Sequence, residues 1–160
     1  MKTQRLLILL WAALLAASSP AESGATYFAV IANGDVPVDN LSLAEVRKIY
    51  LGDRQFWTGN LRVAPLVRAP VARERAMVVW TVCKMSEAQF SKHWLSKVMR
   101  AESTAMLRQF TNNQAGIELV KVVPGSIAIV NAAQVPPGAR VIKIDGHAPG
   151  DPNYPLQTSE

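Results

Sequence analysis

Short runs of apolar, β-branched and aromatic residues alternate with segments that carry helix caps. This alternation limits the fold more than any other feature of the chain. Thr26 to Asn33 (TYFAVIAN) has the composition of a buried strand, as do Ser126 to Asn131 (SIAIVN) and Arg140 to Ile144 (RVIKI). Leu61 to Val67 (LRVAPLV) reads the same way, with Pro65 pointing to an edge or an irregularity. Between these runs lie the helices. Ser42-Leu43-Ala44-Glu45 is a capping box, opening a helix in which Leu43, Val46, Ile49 and Tyr50 share a face and Gly52-Asp53 forms the stop. Pro70 precedes a helix expected over Val71 to Lys84, where its missing N–H is not needed. That helix is apolar nearly all round from Ala76 to Cys83, which predicts burial on most sides. Ser86-Glu87-Ala88-Gln89 is a second capping box, and Phe90, Trp94 and Val98 line one face of the helix behind it. Thr111-Asn112-Asn113 caps a last helix bearing Ile117, Leu119, Val120 and Val123, which Pro124-Gly125 ends. Strands alternating with helices predict an α/β domain around a mostly parallel sheet flanked by helices. The Gly- and Pro-rich tail from Asp145 to Glu160 is expected to wrap the surface irregularly.

The first residues are of another kind. Met1 to Arg5 is basic, Leu6 to Ala17 (LLILLWAALLAA) is unbroken apolar sequence, and Ser18-Ser19-Pro20-Ala21 is small and turn-forming. This is the three-part layout of a secretory signal peptide, with small residues at Ser19 and Ala21 to fit a cleavage site. A later cut after Ala25 also fits. The apolar run is well short of the roughly 20 residues a spanning helix needs, so cleavage rather than anchoring is expected. The reading is a signal peptide over residues 1–21, then one domain over residues 26–160, exported to the periplasm or beyond and not stably inserted in a membrane.

Loss of Lys2 and Arg5 takes the formal charge from +5 to +3. The remaining Lys and Arg are scattered, without the aromatic-interleaved basic stripe of a nucleic-acid binder, so no nucleic acid is expected. Cys83 is the single cysteine, so no intramolecular disulfide can form, and at the end of an apolar helix it reads as a buried, inert thiol. His93 and His147 with Cys83 give no metal-ligand spacing. His93 reads as a partly exposed helix residue. No G-x-S-x-G, P-loop, H-E-x-x-H or paired-carboxylate motif occurs, so the chain reads as non-catalytic and without a cofactor.

Four stretches in order carry a resemblance to the periplasmic phosphate-binding proteins of ABC transporters. Leu41 to Gly52 (LSLAEVRKIYLG), followed by Trp57, is similar to the family's helix with an aromatic–Leu–Gly stop and a Trp. Val63 to Ala76 is similar to the strand, Arg and helix start of its anion site. Pro124 to Val130 (PGSIAIV) is similar to its "PGSIGYV" strand, and Gly146 with Asp151 to Leu156 (DPNYPL) to its C-terminal "YPL" segment. The resemblance implies a periplasmic-binding-protein-like (type II) fold in a shortened form, since full-length members have two lobes and are about twice this size. It also implies a small oxyanion such as phosphate as ligand and a membrane transporter as partner. Where the family's helix start carries Ser, Gly and Thr, this chain has Ala69-Pro70-Val71-Ala72, with no hydroxyl.

An anion site needs backbone N–H groups at a helix start and a guanidinium to reinforce them. The candidate ligand-binding residues are therefore Arg68, the N–H groups of Val71, Ala72 and Arg73, and the hydroxyls of Ser103 and Thr104. Cations in a first helical turn oppose the helix dipole, so Arg73 and Arg75 are explicable if an anion sits between them. Otherwise they are solvated, with Glu74 offsetting part of the cost. Ser103 and Thr104 read more readily as a helix N-cap, a reading that Met106, Leu107 and Phe110 behind them support. Trp80 and Trp94 read as core. Two functions follow: an exported solute-binding protein for phosphate or another small oxyanion, or an exported interaction module that keeps the fold without a ligand. The second would meet an envelope protein through Phe56 and Trp57, which read as exposed aromatics.

Overall fold

The computed structural model describes residues 24–102 and 107–159. The expected signal peptide over residues 1–21, and Ser103 and Thr104, lie outside the described residues. The elements in order are β1 (Thr26–Ala32), β2 (Asn40–Leu41), α1 (Leu43–Tyr50), β3 (Ala64–Arg68), α2 (Arg73–Ala76), α3 (Glu87–Met99), β4 (Arg108–Phe110), α4 (Asn113–Val122), β5 (Ser126–Asn131), β6 (Val141–Ile144) and β7 (Gln157–Thr158). Helix α2 passes without a break into a π-helical stretch, Met77–Val82.

The sheet runs in the order β2-β6-β1-β5-β3-β4, with β7 on the end of β1. It is mixed. β3 is parallel to β4 and β5, and β2 to β6, while β1 is antiparallel to β5, β6 and β7. The α/β class holds, with a central strand reversed against the parallel majority that strand–helix alternation suggests. Hydrophobic periodicity finds a strand but carries no information on its direction.

Alternation along the strands divides the core in two. Phe28, Val30 and Ala32 of β1 and Ile127 and Ile129 of β5 face a cluster with Val46, Ile49 and Tyr50 of α1, Val79 and Val82, and Phe90 and Trp94 of α3. Ala29, Ile31, Ala128 and Val130 face the other way, onto Ile117 and Val120 of α4. The helices thus cover both faces of the sheet, and period-two alternation supplies an apolar residue to each.

Both expected capping boxes are present. Ser42 and Glu45 bond reciprocally at the start of α1, and Ser86 and Gln89 do so at α3. Asn112 caps α4 through the Ala115 N–H at 2.8 Å. The Pro124-Gly125 stop is set by close packing: Gly125 has φ +67°, and a Cβ there would lie 2.0 Å from the Arg62 carbonyl oxygen. Its own carbonyl accepts from Trp57 Nε1 at 2.9 Å and its N–H donates to Asp35 at 3.0 Å.

Several expectations change. The helix expected from Val71 begins at Arg73, because Val71 has φ +76°, outside any helix. Trp80 is 61% exposed rather than core, since it lies opposite Val78 and Val82 on a helix with one solvent side. Trp57 is buried, held by its bond to Gly125, so Phe56 is the exposed member of that pair. Val98 is exposed, unlike Phe90 and Trp94. Arg108–Phe110 is a strand rather than part of a helix behind Ser103 and Thr104, drawn into the sheet by pairing with β3. The tail is not mere surface wrapping: Tyr154 and Leu156 are fully buried, and the Tyr154 hydroxyl donates to the Phe28 carbonyl at 2.7 Å.

Candidate functional site

Three parallel strands, β4, β3 and β5, end on the same side of the sheet, where open α/β sheets carry their ligands. Arg68 is the last residue of β3, Asn113 opens α4 just past β4, and Gln134 closes a short 3-10 turn just past β5. Glu74, in the first turn of α2, joins them. Its carboxylate accepts from Asn113 Nδ2 at 2.7 Å, and that same amide nitrogen donates to Gln134 Oε1 at 2.8 Å. The other Glu74 oxygen stands 3.8 Å from Arg68 Nε. That is ion-pair range and beyond a hydrogen bond.

Burial makes these contacts significant. Glu74 and Asn113 are both buried, each 7% exposed. Arg68 Nε and Asn113 Oδ1 are buried polar atoms without a hydrogen-bond partner among the described residues. An unpaired buried donor or acceptor costs about 1–3 kcal/mol, so two in one cluster call for an explanation.

The backbone leading into α2 is also unusual. Val71 is fully exposed with φ +76°, a conformation that costs a β-branched residue about 1–2 kcal/mol. Ala72 then takes the N-cap position without any side-chain hydrogen bond, whereas α1, α3 and α4 are capped by Ser42, Ser86 and Asn112. Strained backbone that no cap explains is a pointer to function.

The sequence-derived site residues therefore part company. Arg68 lies in the cluster, and Val71 and Ala72 shape the turn after it. Arg73 is exposed and reaches Thr158 Oγ1 at 3.4 Å, by β7. Arg75, suspected of adding to an anion's field, is committed elsewhere. It donates to both oxygens of Glu87, at 3.1 and 2.5 Å, and to the Arg68 carbonyl at 3.3 Å, with Phe90 beneath its guanidinium. The hydrogen bonds from Arg75 hold the Glu87 carboxyl below the usual range. Asn113 and Gln134 were missed by sequence reasoning. Asn113 looked like part of a cap, and nothing local marks a residue whose partners lie on other elements.

No group of His, Cys, Asp and Glu among the described residues is arranged to hold a metal. Cys83 is buried, and burial pushes its thiol up to about 12. His93 is half-buried, with Nε2 2.8 Å from the Leu51 carbonyl, linking α3 to the end of α1. No helix among the described residues is long and apolar enough to cross a membrane.

The fold, a mixed sheet with helices on both faces, is similar to that of periplasmic binding proteins. Solved structures agree. The chain matches a putative phosphate ABC transporter substrate-binding protein with bound phosphate from Clostridium perfringens, with TM-score 0.67 and 17% identity over 84% of this chain. It also matches an ABC-type phosphate transport receptor from Vibrio cholerae, with TM-score 0.62 and 14% identity over 84% of this chain. A third match is PstS from Borrelia burgdorferi, with TM-score 0.65 and 11% identity over 85% of this chain. The chain spans 54%, 55% and 56% of those three structures. No protein-family model and no curated protein matches the sequence.

Proposed function

We propose that this chain is an exported, non-catalytic solute-binding module whose site is the cluster around Arg68, with phosphate or another small oxyanion as ligand. One observation carries the reading: Arg68 Nε, buried at the carboxyl end of β3, has no hydrogen-bond partner among the described residues. An oxyanion beside it would accept that hydrogen bond, and N–H groups near Val71 to Arg73 would replace part of its hydration shell. The absence of hydroxyls from Ala69 to Ala72 makes such capture weaker than at a helix start that carries them. Ser103 and Thr104 are proposed as second-side donors, and a membrane transporter as the partner that receives the solute. Calorimetric titration of the exported protein with phosphate, sulfate and arsenate tests this. Heat with phosphate that Arg68→Ala abolishes supports it. Neither heat nor thermal shift at millimolar phosphate or sulfate sinks it.

A second reading has its own observation. Phe56, Trp80, Leu95, Val98 and Met99 are large apolar side chains exposed to solvent. They suit an interaction module that keeps the fold and meets an envelope protein. A protein silent in the titration but retained by an envelope fraction would favour that reading.

A further inference from the structure

We propose that Glu74 is a resident anion of the Arg68 site, a specificity-determining carboxylate that competes with any incoming oxyanion for the Arg68 guanidinium. The proposal rests on the Arg68 cluster being the solute site.

Three observations place Glu74 in that role. Its carboxylate is buried and stands 3.8 Å from Arg68 Nε, so an oxyanion bonded to that nitrogen would lie against it. It is held there from behind, by the 2.7 Å bond from Asn113 Nδ2, rather than by Arg68 itself. Asn113 is in turn fixed by Gln134, because Nδ2 meets an acceptor on each of Glu74 and Gln134.

The alternative is that Arg68 and Glu74 form an ordinary structural ion pair. The chain contains such a pair for comparison, Arg75 with Glu87, and there the guanidinium donates twice to one carboxylate. Arg68 does not do this: Nε stays unpaired while a carboxylate stands just out of reach. The electrostatic consequence is direct. A second anion at contact distance from Glu74, in a site largely closed to water, meets a repulsion little weakened by screening. The positive charge of Arg68 is already neutralised, so the site has no net charge to offer an oxyanion. The wild-type protein should therefore bind inorganic dianions weakly, and removing one charge should make it bind them more tightly.

Glu74→Gln removes the charge while preserving size and the oxygen that accepts from Asn113. Inorganic phosphate and sulfate are titrated by calorimetry into the full exported chain as wild type, Glu74→Gln and the Arg68→Ala/Glu74→Gln double variant, with circular dichroism confirming the fold. The expected result is phosphate binding at least tenfold tighter in Glu74→Gln than in wild type, lost again in the double variant. If Glu74→Gln does not fold, Glu74→Thr carries the same test. Wild-type binding that Glu74→Gln fails to tighten overturns the role of Glu74 and leaves the solute site standing. Tightening that survives Arg68→Ala places the anion elsewhere and overturns the proposal. Silence from the wild type removes the solute reading and this proposal with it.

Discussion

Arg75 donates to both oxygens of Glu87 and to the Arg68 carbonyl, with Phe90 under its guanidinium plane. Arg68, seven positions earlier on the same strand-to-helix junction, faces Glu74 at 3.8 Å with Nε unpaired. Both side chains are mostly buried, 5% exposed for Arg75 and 19% for Arg68, so burial alone does not separate them. Hydrogen bonding does. A buried guanidinium whose three nitrogens each donate to a protein acceptor locks elements together, here the start of α2 against the start of α3. One with a donor left over is poorly explained by stability and is better explained by something it binds. The surroundings follow the same division. Arg75 sits over Phe90, in a closed face that also contains Val82 and Cys83, while Arg68 is followed in sequence by the strained, uncapped turn at Val71 and Ala72.

The largest expected effect tests the locked side. Arg75→Ala should destabilise the fold by about 2–4 kcal/mol in urea unfolding, below the top of the range for buried pairs because Glu87 is 43% exposed. A loss below about 0.5 kcal/mol, the level of ordinary surface changes, would mean that Arg75 locks nothing.

Arg68→Ala measured in a Glu74→Gln background should cost less, about 1 kcal/mol, since no hydrogen bond from Nε is lost and no buried carboxylate is left without its cation. If its cost equals that of Arg75→Ala, the two arginines are alike and the functional assignment of Arg68 loses its physical ground.

Val71→Gly should raise stability by about 0.5–1 kcal/mol, by relieving the positive φ at the expense of a more flexible unfolded chain. A destabilised variant would show that the Val71 side chain makes a contact its full exposure denies.

Acid should then separate the two arginines. The Glu87 carboxyl is held below its ordinary value by the hydrogen bonds from Arg75. Its contribution is therefore complete above the unfolded carboxylate value of about 4.3 and is lost as pH falls below it. Urea midpoints between pH 7 and pH 3 should fall less steeply in Arg75→Ala than in wild type. Equal slopes would remove Glu87 from the account.

The smallest signal belongs to Cys83. Buried in the closed face, with its thiol raised to about 12, it should hardly react with thiol reagents at pH 8 in the native state. Fast labelling would show that this face opens readily.

Much of this architecture was legible because it is written locally. The boxes Ser42–Glu45 and Ser86–Gln89 fixed two helix starts, since the atoms that bond lie three residues apart. Unbroken apolar runs rich in β-branched residues located β1 and β5. The shorter strands escaped: Asn40–Leu41, Arg108–Phe110 and Gln157–Thr158 are too brief to show a period and exist because a neighbour supplies their hydrogen bonds. Trp57 and Trp80 exchanged roles for a related reason. Each is an indole beside apolar sequence, and only the Gly125 carbonyl, 68 positions from Trp57, decides which one is inside.

The site divides along the same line. Arg68 after a strand and before a helix start is a local pattern, and the sequence alone marked it, together with the missing hydroxyls from Ala69 to Ala72. The sequence alone also set the α/β class, because cap and periodicity signals are short-range. Tertiary structure decided that Arg75 belongs to Glu87, that Asn113 and Gln134 hold Glu74 in place, and that Arg68 Nε is left unpaired. Glu74 and Asn113 stand 39 residues apart, and Asn113 and Gln134 stand 21 apart. Hydrogen bonding depends on distances of a few ångströms, and only the parallel ends of β4, β3 and β5 bring those residues within them.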